Sequence, residues 1–496
     1  MNNLHTIKIN FCGGIISPGD LYNILVTAAK NGIKKIRFGL RQQMLLEVRA
    51  ENYHTLVNEL KLLGVKFEIN ADVHPNIVSS YPAEEVFITN TWLSEGVYKD
   101  IFDLMDHEPK LKINVSDSNQ SFTPLLTGNI NWVASPSQHF WHLFIRFPKT
   151  NVIYEWKDLV YTNDVARMSK HIEALILNNP DKFYDKAEVN GDLLYEWVNK
   201  ENYIIKPADV PAKLPAFNLP YYEGLNRHND KYWLGIYRRD EMFSVELLKD
   251  ICELCLQTKI GQLCSTPWKS LIIKGIEEKD RPAWNRLLVK HLVNVRHAAN
   301  ELNFQVEDNC KEGLRLKNYL VKHLNNHDIR TFGICMGIKT RNKSEVFSSI
   351  LVRRRPLITV GNRGLFYIYD ILCAKDFNPN ERTGFVFSQN NPKFLLPAQL
   401  QKVILSFYTH VANNNNRLEK SAAKKETIIK QVKPAKIHQC NHCLTIYDEM
   451  IGEPENGIAA DTPFEQLPET YLCPLCEAPK KDFIVTEKVA LGLHTV

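Results

Sequence analysis

The sequence predicts an α+β protein in which a body of two duplicated halves is followed by a small metal-binding domain. Two observations carry this. The segment SPGDLYNILVTAAKNGIKKIRFGLRQQMLLEV (17–48) aligns without a gap, 227 positions later, with SVELLKDICELCLQTKIGQLCSTPWKSLIIKG (244–275). Near the end of the chain stand two C-x-x-C pairs, Cys440-Asn441-His442-Cys443 and Cys473-Pro474-Leu475-Cys476. Four thiolates at such spacing hold one metal tetrahedrally, and an S4 set taken alone suits zinc or iron.

In the repeat Ser17 pairs with Ser244, Leu21 with Leu248, Ile33 with Ile260, Ile36 with Leu263 and Leu46 with Ile273. Apolar residues at i, i+3 and i+4 predict a helix leading into a strand in both copies. Each copy then enters a second amphipathic helix, NYHTLVNELKLLG and RPAWNRLLVKHLVN. A repeat this long implies duplicated half-domains rather than a solenoid. The first half is placed at 1–200, with its repeat at about 5–70, and the second at 201–412, with its repeat at about 230–300. The stretch NNNNRLEKSAAKKETIIKQVKPAK (413–436), with seven basic and two acidic residues and Pro434, reads as a solvated basic linker. The metal-binding domain takes 437–487 and a tail 488–496.

Composition is that of a soluble protein: 44% hydrophobic, 24% charged, mean hydropathy −0.28, and no apolar run near the roughly 18 residues that span a membrane. The N-terminus MNNLHTIKINFCGG lacks the basic start and apolar core of a signal peptide. Beyond the four cysteines of the pairs, seven remain, without the spacing of a disulfide framework, so a cytoplasmic location is expected. No dinucleotide phosphate loop and no aromatic–basic nucleic-acid pattern is present, so neither nucleic acid nor membrane is expected as a partner. Residues 437–487 carry ten acidic and two basic side chains against +5 for the whole chain, so an acidic domain is attached to a basic body.

The residues around the cysteines favour iron. The segment from His438 to Phe483 resembles rubredoxin, the small one-iron electron-transfer domain, in the 29 residues between Cys443 and Cys473 and in Tyr447-Asp448, Gly452, Pro454, Gly457-Ile458, Thr462, Phe464, Leu467-Pro468, Tyr471 and Phe483. The resemblance implies one iron ion, cycling between Fe3+ and Fe2+, on Cys440, Cys443, Cys473 and Cys476, and one-electron exchange with redox protein partners. A structural zinc ribbon is the alternative. One departure stands out: rubredoxins place glycine after each C-x-x-C, whereas this chain has Leu444 and Glu477.

The body resembles the sirohaem-containing nitrite and sulfite reductases, which are built from two ferredoxin-like halves, each followed by an α+β domain. Ile36-Arg37-Phe38-Gly39-Leu40-Arg41-Gln42 fits that family's strand near the macrocycle carboxylates and the anionic substrate, and Thr266-Pro267-Trp268-Lys269 is its counterpart in the second copy. The resemblance makes Arg37, Arg41 and Lys269 candidates for binding an anion or a tetrapyrrole; a salt bridge within the fold is the plain alternative. Active members hold a [4Fe-4S] cluster through C-x5-C and C-x3-C. Here Ser80, Val86, Ser118 and Phe122 fall at those positions, and none is a soft thiolate. Neither the cluster nor sirohaem is therefore expected, and the body reads as a non-catalytic docking platform beside nitrate, nitrite or sulfite reduction, an electron carrier more than a catalyst. A tetrapyrrole-binding reductase with a built-in donor and a zinc-stabilised scaffold are the alternatives.

Other features read as structure. Cys252 and Cys255 sit within VELLKDICELCLQTK, where both thiols fall on one buried helix face. His297 reads as a core or capping histidine. Arg238-Arg239 and Arg353-Arg354-Arg355 are basic clusters that suit a solvated face or the landing of an acidic domain.

Overall fold

The structure, a computed structural model, describes residues 4–87, 91–150, 152–185, 188–341, 346–360, 363–381, 383–429 and 436–487. It divides into two compact units, Met1–Phe407 and Tyr408–Val496.

In the first unit the sequence repeat is a repeat of structure. A shift of 227 residues carries the strand Leu4–Ile9 onto Lys231–Ile236, the helix Pro18–Lys30 onto Val245–Gln257, and the strand Met44–Arg49 onto Leu271–Ile276. Both helices start at a serine cap. The Ser17 hydroxyl accepts from the Asp20 N–H at 3.4 Å and the Ser244 hydroxyl from the Leu247 N–H at 3.3 Å, which satisfies donors the first helical turn would leave unpaired.

Each copy builds a five-stranded sheet. The first runs Phe243–Ser244, Lys35–Phe38, Met44–Arg49, Leu4–Ile9, Glu68–Ile69; the second runs Gly224–His228, Lys231–Ile236, Leu271–Ile276, Leu263–Ser265, Ile15–Ile16. Each sheet thus takes one short edge strand from the other copy, Phe243–Ser244 against Lys35–Phe38 and Ile15–Ile16 against Leu263–Ser265. The exchange covers an edge of both sheets and locks the copies together. Their helices share one core containing Leu21, Leu25, Leu248, Ile251, Cys252 and Cys255. Both of these thiols are fully buried, and desolvation pushes the Cys252 thiol up to about 12.

An α+β layer follows each copy. After the first lies a sheet in the order Ile205–Pro207, Asp158–Tyr161, Phe140–Arg146, Ile130–Ala134, Ile113–Ser116, Val78–Ser79; after the second lies Phe304–Val306, Met336–Lys339, Ile350–Val360, Arg363–Ala374, Gly384–Asn391. Trp132, Trp141 and Phe122 are buried in the larger core.

In the second unit the described sheet has three strands, Ile446–Tyr447, Lys436–Cys440 and Phe483–Glu487. Within the expected basic linker the helix Leu396–Ile429 runs through 413–429, because Leu, Glu, Lys and Ala there are strong helix formers that outweigh the Asn run. Residues 430–435 and the tail 488–496 lie outside the described residues. Among the described residues no helix is long and apolar enough to cross a membrane.

Candidate metal centre

The strand Lys436–Cys440 delivers Cys440 into a turn that returns Cys443, and a second turn of the same construction carries Cys473 and Cys476. In each turn the cysteine N–H is tied across the knuckle: Cys440 N–H donates to Thr445 O and Cys473 N–H to Ala478 O, both at 2.8 Å. The Leu444 and Glu477 N–H groups return to Cys440 O and Cys473 O at 3.0 and 2.9 Å. The strand pair Cys440 and Phe483 brings the knuckles to one centre.

All four sulfurs lie within 4.8 Å of one another, with Cys440 to Cys476 at 3.6 Å and Cys443 to Cys473 at 3.4 Å. A tetrahedral ion with metal–sulfur bonds of about 2.3 Å needs edges of about 3.8 Å, so the donor set fits one ion. Cys440 and Cys473 are buried, whereas Cys476 is exposed. The Thr445 hydroxyl stands 3.0 Å from Cys443 Sγ, and with the Thr445 N–H it holds that thiol down to about 6. The Ala478 N–H works to lower Cys476, yet hydrogen bonding to Cys443 and desolvation prevail and push it up to about 12. The sulfurs thus titrate as one coupled set, and a bound cation takes the place of the protons they share. Thr445 was missed by the sequence reading, where a hydroxyl two places past a cysteine gives no signal of its own.

The positions where glycine was missing turn out to be the conformations that favour it. Leu444 has φ 63° and Glu477 φ 56°. A side chain in this left-handed region costs about 1–2 kcal/mol. Elsewhere the domain does use glycine: Gly452 has φ 67°, and a Cβ there would meet Ala459 O at 2.3 Å.

Behind the sulfurs lies a small core of Tyr447, Phe464, Leu467 and Tyr471. The Tyr447 hydroxyl donates to Thr462 O at 2.8 Å and the Tyr471 hydroxyl to Glu453 at 2.6 Å. The His438 ring stacks on Phe464 at 4.0 Å.

The rubredoxin family model matches residues 437–483. Over 52 residues the chain is 44% identical to Rubredoxin 4 of Rhodococcus sp., spanning 87% of that protein and 10% of this one. Through this domain the chain belongs to the rubredoxin family. Its rubredoxin domain is also 51% identical over 49 residues to Rubredoxin-1 of Pseudomonas aeruginosa, covering 89% of that protein and 10% of this chain. With the High molecular weight rubredoxin of Moorella thermoacetica it shares 50% over 46 residues, which is 9% of this chain and 20% of that protein. Over 82% of the chain the structure is similar in fold to 81% of the Mycobacterium tuberculosis NirA protein, with TM-score 0.59 and 14% identity.

Outside the rubredoxin domain, the structure places Arg37 against Met242 Sδ (2.7 Å), Asn309 (3.0 Å) and Glu47 (3.7 Å). Arg41 donates to Asn76 O at 2.7 and 3.0 Å and to Ile113 O at 3.0 Å. Lys269 is buried between Glu241 at 2.7 Å and Asp308 at 3.3 Å. Asp308 also accepts the Leu40 N–H at 3.1 Å, so the loop that holds Lys269 meets the loop that carries Arg41. Beside Arg41 opens a cavity of about 250 Å³ lined also by Lys112, Glu307, Asp308 and Arg341. A larger one of about 570 Å³ is lined by, among others, Lys112, Arg146, Lys149 and Lys339.

Of the four residues aligned in the sequence with the cluster cysteines of the sirohaem reductases, Ser80 shares a hydrogen bond with the Tyr98 hydroxyl at 2.8 Å, and Phe122 is buried against Phe87 and Tyr222. Val86 packs on the same core and Ser118 is half-buried. Of the basic clusters, Arg353 and Arg355 are bound to the buried Asp370 at 2.9 and 2.6 Å, and Arg239 to Glu301 at 2.9 Å. His297 is half-buried, with its Nδ1 2.6 Å from Glu223.

Proposed function

We propose that this protein is a one-electron carrier in which an Fe(Cys)4 rubredoxin centre works beside a non-catalytic, reductase-like body that serves as a docking platform for redox partners of nitrate, nitrite or sulfite reduction in the cytoplasm. The observation that carries it is the set of four sulfurs, mutually within 4.8 Å, in a domain of the rubredoxin family. When bound, the iron supplies a ferric/ferrous couple without an open coordination position. The chain's own residues hold the sulfurs, keep water from Cys440 and Cys473, and leave Cys476 at the surface, which shortens the path to a partner. Ser80, Val86, Ser118 and Phe122 support the absence of a [4Fe-4S] centre in the body, since none offers a soft ligand.

A second reading, a tetrapyrrole-binding reductase with the rubredoxin as its built-in donor, is favoured by the likeness of the fold to that of the NirA protein. One experiment separates the readings: expression of the full chain with iron and haem precursors, then visible spectra before and after dithionite with metal analysis. About one iron, a ferric-thiolate spectrum that bleaches, and no tetrapyrrole bands support the carrier. Sirohaem-like bands support the second reading, and a colourless zinc protein overturns both.

A further inference from the structure

Leu444 and Glu477 occupy equivalent places, each directly after the second cysteine of a knuckle, and each takes the left-handed conformation that glycine would adopt at lower cost. Their backbone N–H groups make the turn-closing bonds to Cys440 O and Cys473 O that a glycine would make equally well. The backbone therefore gains nothing from the side chains, and what they do must be sought beyond the turn.

Both side chains stand at the accessible edge of the sulfur cluster. Leu444 is 64% exposed, and it follows Cys443, which is half-buried; Glu477 is exposed and follows the exposed Cys476. Leu475 and Leu472, 72% and 50% exposed, extend the apolar character of that edge. One knuckle thus presents an aliphatic group to an incoming molecule, and the other presents an anion.

We propose that Leu444 and Glu477 act as a selective edge over Cys443 and Cys476, favouring electron exchange with a partner that offers a cationic group beside an apolar patch, and that the Glu477 carboxylate holds the iron toward its ferric state. The inference rests on the iron-carrier reading above. A fixed negative charge near the metal stabilises the more positive oxidation state, and an attraction between an exposed carboxylate and a cation speeds encounter without adding much affinity.

The test uses the full iron-loaded chain and its Glu477→Gln, Leu444→Gly and Asp461→Asn variants, the last removing an exposed carboxylate from the loop between the knuckles. The reduced protein gives one electron to ferricyanide, an anion, or to hexaamminecobalt(III), a cation, while the site passes from ferrous to ferric. Glu477→Gln is expected to speed the first and slow the second, changing their rate ratio about two- to fivefold at low salt, with less change at high salt and less for Asp461→Asn. In a dithionite titration the ferrous/ferric ratio at fixed potential rises about two- to fivefold for Glu477→Gln. Leu444→Gly keeps its iron spectrum and unfolds no earlier than the natural protein. Unchanged ratios in Glu477→Gln, or loss of the folded domain in Leu444→Gly, overturn the proposal. A natural protein that takes up no iron overturns the carrier reading itself, a distinct failure visible in the first spectrum.

Discussion

Cys443 Sγ and Cys473 Sγ lie 3.4 Å apart although 29 residues separate them in the chain. Two sulfurs this close, next to two more, are the donor set for one cation, whose binding takes their protons' place. Among the described residues the core cluster behind them has four buried members, so much of the domain's stability must come from the ion.

Replacing Cys473 by Ser should therefore cost both metal and fold. Cys473→Ser is expected to retain much less than one iron per chain and to lose the ferric-thiolate absorption, and the rubredoxin domain should unfold at a lower temperature than the natural one. Metal analysis and calorimetry on the same preparation check this; full iron occupancy in the variant would show that three sulfurs suffice.

Tyr471 gives a finer test of the same domain. Its hydroxyl donates to Glu453 at 2.6 Å, and its ring contacts Tyr447, Phe464 and Phe483. Tyr471→Phe keeps the ring and removes a hydrogen bond to a charged acceptor, so the domain should lose about 1.5–3 kcal/mol with the iron spectrum intact. Denaturant unfolding followed at the iron band measures it.

Much of this was written in the local pattern of the chain. The helix Val245–Gln257 could be read from its apolar spacing, which correctly placed Cys252 and Cys255 in the core, and the 227-residue repeat gave the paired half-domains. The exchange of Ile15–Ile16 and Phe243–Ser244 could not be read, because a two-residue strand has no periodicity and its partner lies in the other copy. Asp308 was invisible for a similar reason: it meets Lys269, and its contact with the Leu40 N–H spans 268 residues. The glycine positions at Leu444 and Glu477 were legible as departures, but only the backbone angles show that the glycine conformation was kept.

The body carries its own acid-sensitive element. Arg355 foremost, with help from the Asn390 N–H and Arg353, outweighs desolvation and holds the Asp370 carboxyl down to about 2. A depressed carboxyl stabilises the fold fully above its unfolded value near 3.8 and ceases to do so as pH falls through about 2. Because both arginines are partly in water, the contribution is about 1–2 kcal/mol rather than the full shift. Asp370→Asn should lower body stability by that amount at neutral pH and flatten the stability curve between about pH 4 and pH 2, as acid titrations of unfolding will show.

Lys269 decides whether a residue singled out as a cofactor ligand serves the fold instead. Burial alone would push its ammonium down, yet Glu241 and Asp308 outweigh that and keep it protonated. At 3% exposure, with carboxylates at 2.7 and 3.3 Å and the Glu307 carbonyl at 3.3 Å, its three protons have partners inside the protein. Removing the lysine leaves Glu241 and Asp308 without their counter-ion in a site with little water, a change that typically costs about 3–5 kcal/mol. Lys269→Met is thus expected to destabilise the body by that amount while the rubredoxin spectrum stays as it was. Urea unfolding followed by tryptophan fluorescence reads the body, and the iron band reads the other unit. A Lys269→Met protein of natural stability would mean that the lysine is not held by its neighbours, and would return it to the candidates for binding an anion.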